Sequence, residues 1–103
     1  MSLFDNLQNF DNQEIEDIYH TYTEVFGKNA QLFVLLEEMS ELQKEILKNI
    51  NRGKDNIMDI ADEAADVFIM LEQMQRLYGI KEEIARRIPE KLKKAKKRLE
   101  EKK

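Results

Sequence analysis

At 103 residues with three glycines, one proline and no cysteine, the chain is a single domain that excludes disulfides and thiolate metal sites. It is rich in Leu, Ile, Glu and Lys, without β-branched alternation, so the expected fold class is all-α, a small antiparallel helical bundle. Its net charge of −4 divides unequally: residues 1–80 carry 6 bases and 16 acids (−10), residues 81–103 carry 11 bases and 5 acids (+6). An acidic body repels a phosphate backbone, which argues against duplex nucleic acid as partner. The N-terminus has no basic leader and no apolar run reaches membrane length, so no membrane partner and a cytoplasmic location are expected.

Residues 1–10 read as a loose lead-in. Asp11 or Asn12 caps a first helix with Ile15, Ile18, Tyr19, Tyr22, Val25 and Phe26 at steps of three and four, ended by Gly27. A second helix runs from about Ala30 to Ile50 on a stripe of Leu32, Leu35, Leu36, Met39, Leu42, Ile46 and Leu47. The turn Asn51–Lys54 breaks the pattern, and Asp55 is placed to cap a third helix reaching Tyr78, with Gly79 behind it. Beyond that, Ile80–Ile88 reads as a short helix that Pro89 separates from a basic helical tail, residues 81–103 forming the positive end of the chain. There is no internal repeat and no second domain.

Two acidic pairs stand out on the second and third helices. Glu38 with Glu41 and Glu63 with Asp66 are each spaced i, i+3, and the four positions average to residue 52, inside the turn. An antiparallel hairpin therefore brings both pairs to one height. Of the four, only Glu41 has a base within a helical turn, Lys44, and Ala64, Ala65, Val67 and Phe68 interleave the second pair. Partly buried, unpaired carboxylates repel one another unless a cation intervenes. Oxygen-only ligands favour Mg²⁺, with Mn²⁺ as a substitute, over zinc. A di-iron bundle needs Glu-x-x-His pairs, and the single His20 makes none. The bland alternative, a solvated acidic face, stays open because acids make up a fifth of the chain.

The segment Leu36-Glu37-Glu38-Met39-Ser40-Glu41-Leu42, followed by Asp62-Glu63-Ala64-Ala65-Asp66-Val67, resembles the MazG-like all-α nucleoside triphosphate pyrophosphohydrolases. Their signature is E-x-x-E, a spacer, then E-x-x-D, and the spacer here is residues 42–62. The resemblance covers about residues 30–99 and implies a four-helix-type bundle completed as a homodimer or homotetramer. It implies Mg²⁺ held by Glu38, Glu41, Glu63 and Asp66, and hydrolysis of a nucleoside triphosphate between its α and β phosphates. Glu37 or Glu45 is a further contact or base, unranked between them. The basic run from Lys91 to Leu99 is similar to a phosphate-contacting C-terminal stretch, with Lys91, Lys94 and Arg98 on one face; a merely solvated face fits it equally. Ala95 stands about where many members have Asn. Alternatives are an inactive nucleotide sensor and a non-enzymatic helical interaction module, which Phe33, Val34, Ile69, Met70 and Leu77, apolar but off the main stripes, would serve.

Overall fold

Local capping and glycine geometry divide the chain into four helices. The computed structural model describes residues 10–102, so almost all of the expected lead-in lies outside the described residues. Helix α1 spans Asn12–Phe26 and begins where Asp11 Oδ1 accepts the Glu14 N–H at 2.8 Å. Gly27, at φ +87°, is the whole connection to α2 (Lys28–Arg52), and its N–H donates back to the Thr23 carbonyl at 2.9 Å. A side chain at that φ would be strained, so this one-residue corner needs glycine. Helix α3 spans Ile57–Tyr78 and α4 Lys81–Glu101. All regular structure among the described residues is helical.

Two boundaries differ from expectation for identifiable reasons. The residue before α3 is Asn56 rather than Asp55, and its side chain makes no cap bond. Asn56 Nδ2 instead donates across the turn to the Glu45 carbonyl at 2.9 Å, while Asn49 Nδ2 donates to Asn56 Oδ1 at 3.3 Å and to the Lys54 carbonyl at 3.1 Å. These bonds staple the two arms of the hairpin at its closed end. The second difference is Pro89, which lies inside a continuous α4 instead of breaking it. Proline removes the bond to the carbonyl four residues back. That residue, Ala85, is exposed, which leaves the freed oxygen open to solvent.

Helices α2 and α3 pack along their length as an antiparallel hairpin, and α1 closes over its open end. Arg76 Nε donates to Glu16 Oε2 at 2.7 Å, tying α1 to α3, and Lys28 Nζ sits 4.7 Å from the centroid of the Tyr78 ring. The core between them is thin. Among the described residues Tyr19, Leu35 and Val67 are the buried apolar ones, against three buried polar ones, Gln31, Asn56 and Gln73. Phe33, Leu36, Ile50, Met58 and Phe68 remain exposed, and α4 buries nothing. No described helix is long and apolar enough to cross a membrane.

Candidate metal centre and adjoining cleft

The antiparallel register fixes what faces what. Positions whose numbers sum to 104 oppose each other across the hairpin: Glu38 with Asp66, Glu41 with Glu63, and also Val34 with Met70 and Gln31 with Gln73. The structure brings one carboxylate oxygen from each of Glu38, Glu63 and Asp66 within 4.8 Å of one another. Glu38 and Glu63 are half-buried, and Asp66 is exposed. Glu41 lies outside this trio and faces solvent, yet its charge acts on Glu63.

No cation offsets these charges. Among the described residues no salt bridge involves Glu38, Glu41, Glu63 or Asp66. Burial, then the adjacent Asp66 charge, raises the Glu38 carboxyl above its usual range, with Glu63 adding to the effect. Glu63 is raised by burial, then by Asp66 and Glu41. Three oxygens gathered this closely, lacking counter-charge and reluctant to ionise together, suit a hard divalent ion. Oxygens around Mg²⁺ at about 2.1 Å lie roughly 3–4 Å apart, so a small contraction of the trio accommodates it.

Beside the carboxylates opens a cleft of about 470 Å³. Tyr19, Tyr22 and Phe26 of α1 wall it, with Gln31, Val34, Met70 and Gln73 from the hairpin and Glu38 and Asp66 also on its lining. Gln31 precedes Glu38 by seven residues, and Gln73 follows Asp66 by seven. Two turns of helix therefore set amides and acids about 10 Å apart on the same faces. Gln73 is only 3% exposed, and its Nε2 has no hydrogen-bond partner. An orphaned buried donor costs about 1–3 kcal/mol, which marks a group kept for something other than packing. Burial and the charges of Glu72 and Glu16 push the Tyr19 phenol up to about 12, so it stays a neutral donor at physiological pH.

The basic residues expected to contact phosphates lie on α4, apart from this cleft. Lys91, Lys94 and Arg98 are exposed on α4, none lines the cleft, and none forms an ion pair among the described residues. Lys91 and Lys94 border a shallow recess of α4 with Arg86, Arg87 and Glu90. Glu37 is exposed on α2, and Glu45 is engaged at the turn, 3.2 Å from Lys48. His20 is a surface residue 3.6 Å from Glu24. Gln31 and Gln73 escape a reading based on charge and apolar stripes, although the same sum of 104 that pairs the acids also pairs them. The chain matches no family model, no curated protein and no solved structure.

Proposed function

We propose that this protein is a MazG-like nucleoside triphosphate pyrophosphohydrolase, working with Mg²⁺ as a homo-oligomer. The observation that carries the reading is the trio Glu38, Glu63 and Asp66, paired with no base among the described residues and bordering an apolar cleft. These three residues would hold the ion. When bound, Mg²⁺ supplies neutralisation of phosphate oxygens and a water of lowered pKa.

The chain's own groups account for the rest. Tyr22 and Phe26, with ring centroids 5.4 Å apart, give the cleft an aromatic wall suited to a planar base. The amide of Gln73 offers such a base a hydrogen bond, and Glu38 and Asp66 line the same cleft about two helical turns away. Glu41 is left as the carboxylate that accepts the proton of the attacking water. The water oxygen bonds to the α phosphorus while the α–β bridging oxygen departs with pyrophosphate, leaving a nucleoside monophosphate. The thin core supports assembly, since a chain with three buried apolar residues leaves large apolar faces for a partner.

The test is pyrophosphate release from ribo- and deoxynucleoside triphosphates with Mg²⁺ or EDTA, alongside Glu38→Gln/Glu63→Gln. Metal-dependent monophosphate plus pyrophosphate, lost in the variant, is expected. A folded protein that leaves every triphosphate intact would refute the hydrolase reading.

A further inference from the structure

Helix α4 carries a regular apolar seam with nothing against it. Ala85, Ile88, Leu92, Ala95 and Leu99 follow steps of three and four, the spacing by which one helix lies along another. Leu99 is 69% exposed, and Ile88 and Leu92 are exposed as well. Lys91, Lys96 and Arg98 flank the seam. Two α4 helices pairing with each other would set these like charges face to face, in either orientation, so the seam is not built for its own copy. It needs an apolar strip edged with acids.

The exposed side of α3 is such a strip. Met58, 76% exposed, Ala65 and Ile69 share one face with Ala61 beside them, and Asp59, Asp62 and Asp66 run along one edge. The alanines allow a helix to approach closely. Charge complementarity extends to the whole chain, because the segment carrying α4 is +6 and the remainder −10. We propose that α4 of one copy docks along α3 of a second copy, and reciprocally, so that each subunit lends its basic helix to the other. At about 1.5 Å per residue the 21-residue helix gives a seam of about 30 Å. Two reciprocal seams double the buried area toward the roughly 800 Å² per partner of a stable dimer. Docking sets the partner's Lys91 and Arg98 along the edge marked by Asp59 and Asp62, next to the trio, where they would meet phosphates held by an ion rather than pair with the trio itself. The docking goes beyond the hydrolase reading; the delivery of bases to phosphates rests on it.

Sedimentation of four full-length proteins tests this, with helicity checked by circular dichroism. Wild type is expected to sediment as a dimer or a larger even-numbered assembly. Lys91→Glu/Arg98→Glu and Asp59→Lys/Asp62→Lys are each expected to become monomers, and the four changes together to regain the assembly. A monomeric wild type, or an assembly indifferent to the α3 reversal, overturns the proposal. A second readout does not depend on charge. Because the chain lacks cysteine, mixing an Ala65→Cys chain with an Ala95→Cys chain under oxidation reports which helices meet. The mixed disulfide is expected to dominate; a predominant Ala95→Cys homodisulfide overturns the proposal. A wild type that docks in this way yet releases no pyrophosphate removes the hydrolase reading alone.

Discussion

Glu38 and Glu45 lie two turns apart on α2, both opposite α3, and their environments are opposed. The Glu45 carboxyl is held below its ordinary range, first by a hydrogen bond from Lys48, which outweighs the opposing effect of burial, and then by Asn56. Glu38 is pushed the other way by burial and by Asp66. The closed end of the hairpin is thus a polar cluster whose charges and amides are paired, whereas its middle gathers carboxylates without a partner. Identical residue types serve structure at one place and remain available for a ligand at the other. What separates them is whether the chain supplies the counter-charge itself.

The sharpest way to break this contrast is Glu38→Gln/Glu63→Gln. Mg²⁺-dependent pyrophosphate release should fall by about a hundredfold or more, because the ion loses two charged ligands. In EDTA at neutral pH the same variant should unfold at a higher temperature than wild type, since repulsion is removed. A variant that is both inactive and less stable would assign the two glutamates to the fold.

Asn56→Ala probes the other end. It removes the bond to the Glu45 carbonyl and one of the two made by Asn49, at a residue that is almost fully buried. The expected cost is about 1–3 kcal/mol, read as a lower midpoint in thermal unfolding. The increment in midpoint produced by Mg²⁺ should match that of wild type. Loss of that increment would show that the two regions are not independent.

The pH dependence should run in opposite directions at the two places. Glu38 and Glu63 are raised in the folded state, so their contribution is full below the unfolded value of 4.5 and lost as pH rises through their folded pKa. Glu45 is lowered, so its contribution is present above 4.5 and lost as pH falls through its folded pKa. Unfolding midpoints measured in EDTA from acid to neutral pH should show the first trend disappearing in the Glu38→Gln/Glu63→Gln variant. The increment given by Mg²⁺ should grow as pH rises, because ion and proton compete for Glu38. A constant increment would remove the cluster as the binding site.

Much of this was legible before any coordinates, for a specific reason. Helical stripes and the three glycines mark four helices, and equal spacing about residue 52 pairs Glu38 with Asp66. Geometry that depends on one side chain's direction was not legible. Glu41 stands outside the trio and faces solvent, although Glu63 and Asp66, with the same i, i+3 spacing, both join it. Asn56 looks like any capping residue until its amide is seen crossing to Glu45. Pro89 reads as a break because proline forfeits a helical hydrogen bond, and α4 carries it at a place where the residue left without that bond, Ala85, is exposed.

The smallest effect is expected at the clamp between α1 and α3. Arg76 and Glu16 meet at 2.7 Å, but their side chains are 30% and 55% exposed, so solvent screens the pair. Arg76→Ala should cost under about 1 kcal/mol in thermal unfolding and less at high salt. Its second consequence tests the cleft. The clamp ties to α3 the helix that supplies Tyr19, Tyr22 and Phe26, so loosening it widens the aromatic wall without touching the carboxylates. KM for the triphosphate should rise a few-fold while kcat and the Mg²⁺ requirement hold. If kcat falls and KM does not, α1 acts on the reacting phosphates and the aromatic wall is not where the base resides.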